Sequence, residues 1–178
     1  MMKKLLIVLL LVPFYVIGQE DPVRISKYIS LEESYTVDNY QAPDEIIFFT
    51  SGHYEYEFFY RNVFDRINKK SKKQGIRKDF VFQDIKNWKQ QLQYYNKTNF
   101  KTDDEELPIV CFYEHDRIDP EIMGYCKDGK CEFFFYVTLV DVANNQVLLK
   151  RKYRVKTRDY YYTQCKNLGD ELIKELRI

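Results

Sequence analysis

Length, composition and charge bound the kinds of protein that this chain can form. It has 178 residues, 45% of them hydrophobic and 17% aromatic, with 28 Lys and Arg against 27 Asp and Glu. This length fits one domain with a sizeable core, and the near-neutral charge argues against a general polyanion binder such as a nucleic-acid-binding protein. No glycine-rich phosphate loop, nucleophile elbow or dinucleotide fingerprint occurs, so we expect no cofactor.

The first 18 residues have the pattern of a cleaved secretory signal. Lys3 and Lys4 precede the apolar run Leu5–Val12, and Pro13 interrupts that run. The run is shorter than the ~20 residues that a membrane-spanning helix needs. We therefore expect cleavage after Gly18 and a periplasmic or secreted protein, with an uncleaved membrane anchor as the alternative. After cleavage, 26 basic and 27 acidic residues remain, which is a net charge of −1.

The next segments predict a lead segment, a strand and a helix. Residues 19–44 are mixed and polar, and we expect one strand in them, around residues 23–29. Residues 45–50 (EIIFFT) form a continuous apolar run before Ser51-Gly52, which is typical of a buried strand that ends in a turn. A helix then begins at about Tyr54 and ends near a left-handed C-cap at Gly75. Its predicted apolar side is formed by Tyr56, Tyr60, Val63, Phe64 and Ile67.

The middle of the chain predicts a second strand and helix, followed by a third strand. Residues 76–82 favour a strand, after which Asp84 caps a helix with the apolar side Ile85, Trp88, Leu92 and Tyr95. Residues 96–107 contain four adjacent acids but lack the ordered oxygen spacing of a calcium loop, so we expect a solvated loop there. Residues 108–114 (PIVCFYE) predict the third strand.

Two strands and a tight turn dominate the C-terminal part. Residues 132–140 (EFFFYVTLV) are aromatic and β-branched, which is typical of a strand covered on both faces. Asn144 and Asn145 tolerate the positive φ of a two-residue hairpin turn. The register that follows pairs Ala143 with Gln146, Phe135 with Arg154 and Val137 with Lys152. The returning strand, residues 146–157, has an apolar side, interrupted by Arg151, that consists of Val147, Leu149, Tyr153 and Val155.

A terminal helix completes the predicted fold. Thr157 or Asp159 can cap it. Gly169 within it costs about 1 kcal/mol relative to alanine, and we expect it to allow close approach of the helix to a strand. Its apolar stripe is Tyr161, Cys165, Leu168, Leu172 and Leu176. The order of the elements predicts an α/β (α+β) fold, a mixed, mostly antiparallel sheet with about three packed helices. We place the signal at residues 1–18, the lead segment at 19–44 and a single domain at 45–178.

Four cysteines in an exported chain indicate disulfides. Cys126 and Cys131 flank Lys127-Asp128-Gly129-Lys130, whose Asp-Gly favours a tight turn, so we expect a bond between them across a short hairpin. Cys111 and Cys165 would close a long loop, worth about 4 kcal/mol in the chain-entropy model. The equal alternative for that second pair is two buried free thiols.

Residues 132–176 resemble a class of small bacterial envelope modules. The pattern is the strand Val137-Thr138-Leu139-Val140-Asp141, then a turn, a strand with alternating polar residues, and an amphipathic helix. It is similar to the amino-terminal domain of the Tol-Pal beta-propeller protein, the curli secretion-channel lipoprotein and lipoprotein activators of penicillin-binding proteins. This chain lacks their lipid-attachment cysteine and turn glycine. The resemblance implies a non-catalytic adaptor that binds another envelope protein.

Five cations on the returning strand form the candidate binding site. They occupy alternate positions and are Lys150, Lys152, Arg154, Lys156 and Arg158. Alternate strand residues lie about 6.8 Å apart, so adjacent cations repel by about 0.6 kcal/mol even in water. Acidic side chains on an adjacent strand, or salt, would offset this repulsion. The functional alternative is an anionic partner, namely lipid headgroups at a peripheral membrane contact, a cell-wall polymer or an acidic protein face; export argues against nucleic acid.

Two further hypotheses accompany this binding module. In the first, a small metal-dependent hydrolase uses His53 and His115, because the pattern His53-x-Glu55-x-Glu57 would align three ligands if residues 54–57 were extended. In the second, exposed tyrosines make the protein a structural subunit of an envelope assembly. The sequence predicts neither the oligomeric state nor the identity of the partner.

Overall fold

The computed structural model describes residues 21–52, 54–71, 76–83, 85, 87–98, 108–115, 130–158 and 162–178. The strands in these residues are β1 Val23–Arg24, β2 Ile29–Thr36, β3 Ile46–Ser51, β4 Ile76–Val81, β5 Ile109–His115, β6 Lys130–Asp141 and β7 Gln146–Arg158. The helices are α1 Tyr54–Lys70, α2 Trp88–Thr98 and α3 Tyr162–Leu176.

The seven strands form one mixed sheet in the order β1-β2-β7-β6-β5-β3-β4. The four pairs β1–β2, β2–β7, β7–β6 and β6–β5 are antiparallel. Strand β3 pairs in parallel with both β4 and β5. This arrangement confirms the predicted fold class, a single α/β domain with a mostly antiparallel mixed sheet and packed helices.

Strand β3, in the parallel part of the sheet, is covered on both faces. Ile46 and Phe48 of β3 belong to the core that also contains residues of α1 and α3, whereas Phe49 packs in a second core with Tyr95 of α2. The side chains of a strand alternate between faces, so a strand covered on both faces reads as an uninterrupted apolar run. The run EIIFFT is therefore correctly predicted as a buried strand.

Helices α1 and α3 pack on the same face of the sheet and against each other. The α3 stripe Cys165, Leu168, Leu172 and Leu176 is fully buried. A Cβ added at Gly169 would lie 2.7 Å from Cβ and Cγ of Arg66 and 3.0 Å from the carbonyl oxygen of Val63. Gly169 does allow close approach, but to helix α1 and not, as predicted, to a strand.

The register of the β6–β7 hairpin differs from the predicted one. Asp141 pairs with Gln146, Phe135 with Tyr153, and Val137 with Arg151, so Phe135 does not face Arg154 and Val137 does not face Lys152. The loop is four residues long, and the Asp141 carboxylate accepts hydrogen bonds from the backbone and side-chain amides of Asn144 at 3.1 and 2.8 Å. This Asp side chain closes a longer turn, in which only Asn145 takes a positive φ, of 48°.

A β-bulge next to that loop changes which face Val147 occupies. Val140 pairs with Val147 but Leu139 pairs with Leu149, so Leu148 is the extra residue. Val147 consequently packs against the core under α2, while Leu149 belongs to the core under α1 and α3. The prediction that Val147 and Leu149 share a face is wrong for this reason.

Residues 21–44 contribute two strands to the sheet. Instead of one strand at residues 23–29, β1 pairs with β2, and β2 pairs with β7. The hydroxyl of Tyr40 also donates a hydrogen bond to the carbonyl of Leu176, at 3.3 Å, and so binds one of the last carbonyls of α3. The segment is thus packed against the rest of the chain.

The helix caps also differ from the predicted ones. Asn87 caps α2, because its side-chain oxygen accepts a hydrogen bond from the amide of Gln90 at 3.1 Å. Thr157 lies within strand β7 and not at the beginning of α3. The predicted features at Gly75, Asp84, Asp159 and Tyr161 fall outside the described residues, as do the signal and most of the acidic loop.

Candidate functional site

Strand β7 presents the predicted cations on the face of the sheet opposite α1 and α3. Its buried side chains Leu149, Tyr153 and Val155 belong to the core, and the cations alternate with them. Strands β2 and β6 flank β7 and add carboxylates to the same surface. We call this set the charged face; it comprises Lys150, Lys152, Arg154, Lys156, Glu32, Glu33 and Glu132. The side chain of Arg158, at the end of β7, is outside what the structure describes.

Ion pairs connect the three strands of the charged face. Lys152 Nζ lies 2.6 Å from Glu33 Oε1 of β2. Arg154 lies between two carboxylates: its Nη1 is 3.3 Å from Glu132 Oε1, and its Nε is 3.1 Å from Glu32 Oε1, close enough for an ion pair although not aligned as a hydrogen bond. Lys156 Nζ lies 3.5 Å from Glu132 Oε2. These are the acidic neighbours that would offset the repulsion between adjacent cations.

Aromatic rings separate the charges on this surface. The ammonium of Lys152 lies 4.7 Å from the ring centroid of Phe134, and Arg154 Cζ lies 5.5 Å from the same centroid. Lys150 Nζ lies 5.6 Å from the Trp88 ring at the beginning of α2. Each such contact contributes about 0.5–1 kcal/mol at an exposed site and holds the cation in place. Phe134 is partly buried, whereas Thr138 and Val140 on the same face of β6 are buried, so the predicted cover on both faces is complete only toward the Asp141 end of the strand.

The charged face is nearly balanced in charge and is not flat. Its four cations and three carboxylates leave a formal charge of +1. A concavity of about 360 Å³ lies on it, and the walls include Glu32, Glu33, Phe134, Lys152 and Arg154. Such a surface can meet a partner with charges of both signs, because each charge already has a fixed position.

Helix α2 begins beside the charged face. The backbone amide of Trp88 donates a hydrogen bond to the carboxylate of Glu114 at 2.7 Å, which satisfies one of the free amides of the first helical turn. Burial raises the pKa of Glu114, while that hydrogen bond and nearby Lys150 act in the opposite direction. Glu114 therefore links the position of Trp88, and with it Lys150, to strand β5.

Arg151 is the cation that points to the other face of β7. Its Nε donates to Glu175 of α3 at 2.6 Å, and its Nη1 donates to the carbonyls of Tyr35 at 2.6 Å and Lys150 at 2.8 Å. Its Nη2 donates to Thr36 Oγ1 at 2.9 Å. The interruption of the apolar side of β7 is thus a buried, fully bonded arginine that connects β2, β7 and α3.

The metal hypothesis requires an extended segment after His53, and the structure has a helix there. His53 is outside the described residues, and the backbone of Tyr54–Lys70 is helical and not extended. His115 Nδ1 forms a hydrogen bond with the hydroxyl of Tyr60. Within the described ranges, no three His, Cys, Asp or Glu side chains are placed to hold a metal ion.

The described cysteines are buried thiols. Cys111 on β5 and Cys165 on α3 are both free, and burial raises the pKa of each thiol, which keeps them protonated and unreactive. The expected Cys126–Cys131 bond cannot be placed, because Cys126 and the side chain of Cys131 lie outside the described part of the chain. Of the helices described, none is long and apolar enough to cross a membrane.

Fold and surface together define a single-domain α/β protein with a charged sheet face and no metal cluster in its described residues. No family model and no curated protein matches the chain. A solved structure of the PelC dodecamer from Paraburkholderia phytofirmans aligns with 83% of this chain and 96% of its own chain, at 10% identity and a TM-score of 0.49. A leucine-to-methionine variant of that dodecamer aligns with 81% and 96%, at 9% identity and a TM-score of 0.50. This likeness concerns the fold alone.

Proposed function

We propose that the protein is an exported, non-catalytic binding module whose charged face contacts a folded protein of the cell envelope. The observation that carries this proposal is the alternation of charge across three adjacent strands, with Glu33 beside Lys152 and Arg154 between Glu32 and Glu132. Charges held in fixed positions of both signs favour one complementary surface over others, because a mismatched partner brings like charges together.

A protein partner fits this face better than an anionic polymer or lipid headgroup does. The Glu33 and Glu132 side chains are 68% and 49% exposed, so they would repel a polyanion that approaches the cations. A protein surface can supply cations for these two carboxylates as well as acids for Lys152 and Arg154. Phe134 and Tyr136 add the aromatic contacts that are common in protein interfaces.

Two further considerations bear on the identity of the partner. The resemblance of residues 132–176 to envelope modules implies an adaptor that binds another protein. The chain is also similar in fold to PelC, whose solved structure is a dodecamer, so self-association is the competing proposal. The mass of the purified chain in solution distinguishes a second copy from a different partner.

The test measures co-sedimentation of the purified chain with an envelope fraction over a salt series. One variant, Lys152→Gln with Arg154→Gln, removes two cations of the charged face. A second, Glu33→Gln with Glu132→Gln, removes two carboxylates. The matched control, Lys166→Gln with Lys174→Gln, removes two exposed cations of α3, which packs on the opposite side of the sheet.

We expect both charged-face variants to bind roughly tenfold more weakly, equivalent to about 1.4 kcal/mol each, and the control to bind like the wild type. Binding should also disappear when the envelope fraction is treated with protease. The proposal fails if the carboxylate variant binds more tightly and the protease-treated fraction still binds, because an anionic polymer or lipid would then be the partner. It fails equally if neither variant differs from the control.

A further inference from the structure

The carboxyl ends of the parallel strands form a second candidate site, separate from the charged face. From β3 the chain leads through α1 to β4 on one side, and from β4 through α2 to β5 on the other side of β3. The two helices pack on opposite faces of the sheet. In open α/β sheets, such a point, where successive connections leave in opposite directions, opens a crevice that commonly binds a ligand.

A cavity of about 250 Å³ lies at this point, between α1 and the sheet. Its apolar walls are six aromatic side chains: Phe48, Tyr60, Phe64, Phe80, Phe82 and Tyr113. Dry cavities of about 150 Å³ in protein cores take up benzene, so this volume accommodates one ring with a short substituent. The Gly52 backbone, at a φ of 153°, lets the chain turn from β3 directly into α1 beside the cavity.

The rings of the wall already use the geometries that aromatic groups prefer. Phe48 and Phe64 meet edge to face with centroids 5.5 Å apart, and Tyr60 stacks on Tyr113 at 6.0 Å. Phe80 and Phe82 meet edge to face at 5.1 Å, although Phe82 itself is 63% exposed. A ring that enters the cavity would gain similar contacts, each worth more than its buried area alone.

Opposite charges line the same cavity. Glu57, which is partly buried, and Arg61, which is exposed, lie four residues apart on α1 and so project from the same side of the helix. Thr50 adds a hydroxyl group, which donates to the carbonyl of Tyr113 at 3.3 Å and can still accept a hydrogen bond. A few polar groups around an aromatic interior fix the orientation of a bound small molecule.

We propose that this cavity binds a free aromatic amino acid, with its ring among the six aromatic side chains, its ammonium group toward Glu57 and its carboxylate toward Arg61. A zwitterion satisfies both charges at once, whereas a singly charged ring compound leaves one of them without a partner. This inference is independent of the charged face.

The test is saturation-transfer NMR with phenylalanine, phenethylamine and hydrocinnamate as probes of the wild-type chain. We expect phenylalanine to bind with a Kd on the order of 1 mM or tighter, which is the range for so small a ligand. Both singly charged analogues should bind more weakly. If either analogue binds as tightly as phenylalanine, or if phenylalanine shows no saturable binding, the proposal is overturned.

Two variants locate the site without disturbing the core. Phe82→Ala removes an exposed ring at the cavity and should weaken phenylalanine binding roughly threefold to tenfold. Phe58→Ala is the matched control, because Phe58 is similarly exposed on α1 but is not among the cavity's lining residues. If both substitutions change the affinity for phenylalanine equally, the ligand binds outside this cavity and the proposal is wrong.

Discussion

Two arginines on strand β7 differ in burial and in bonding because they lie on opposite faces of the sheet. Arg151 and Arg154 lie three residues apart on β7 and point to opposite faces. The Arg151 side chain is 8% exposed and bonds to a carboxylate, two backbone carbonyls and a hydroxyl. The Arg154 side chain is 38% exposed and lies between Glu32 and Glu132.

The interior arginine, Arg151, therefore links elements of the fold, whereas the exterior one, Arg154, forms part of a surface. A buried charge is tolerated only where its hydrogen bonds are satisfied, so losing one partner is costly. Charges near water are solvated whether or not a partner is present, so the exterior pairs contribute little to folding. The exterior charges are therefore available to contact a partner, as proposed for the charged face.

Removing the carboxylate partner of Arg151 should have the largest effect on stability. We expect Glu175→Leu to lower the free energy of unfolding by about 3–5 kcal/mol, because it leaves a buried guanidinium without its carboxylate. Urea unfolding curves measure the change. The double variant Arg151→Met with Glu175→Leu should recover part of the loss, since an apolar pair leaves no uncompensated charge. The recovery stays incomplete, because Thr36 and the carbonyls of Tyr35 and Lys150 lose their donor.

A double variant with the same free energy of unfolding as Glu175→Leu would contradict this explanation. It would mean that the loss comes from the packing of Leu at position 175 and not from the uncompensated charge. A loss below about 1 kcal/mol in the single variant would place Arg151 in the same class as the exterior cations.

The contact between α1 and α3 provides the second test, on the interior face. Gly169→Ala gains about 1 kcal/mol of helix propensity, but its new Cβ would lie 2.7 Å from two carbons of Arg66. Overpacking of this kind costs about 1–3 kcal/mol, so we expect a net loss of about 1 kcal/mol in urea unfolding. Lys166→Ala, at an exposed position of the same helix, is the control and should change stability little. A more stable Gly169→Ala variant would show that the helices can separate without cost.

The elements with strong local patterns were predictable from the sequence. The continuous apolar run EIIFFT predicts a buried strand. The apolar residues from Cys165 to Leu176 recur at the 3.6-residue period of a helix and so predict the buried side of α3. The hairpin register was not predictable, because the Asp141 side chain lengthens the turn and the bulge at Leu148 shifts the pairing. Both features depend on single side chains and backbone angles that composition does not reveal.

For the candidate site, the sequence placed the cations on one face but not their partners. Period-two alternation puts Lys150, Lys152 and Arg154 on the same side of a strand, and the structure agrees. The carboxylates of β2 come from a distant part of the sequence: Glu33 precedes Lys152 by 119 residues. Pairing between strands so distant in sequence is decided by tertiary packing, which no local pattern encodes.

The exterior pairs give the last and smallest expected effect, and they complete the comparison. We expect Glu33→Gln to lower the free energy of unfolding by less than about 1 kcal/mol, because Lys152 stays solvated without its partner. The loss should shrink further at ~1 M salt, where the screening length is about 3 Å, while the loss in Glu175→Leu should persist. A salt-independent loss in Glu33→Gln as large as that of Glu175→Leu would mean that the charged face contributes to the stability of the fold. The binding defects expected of its variants would then have to be separated from unfolding before any partner is assigned to it.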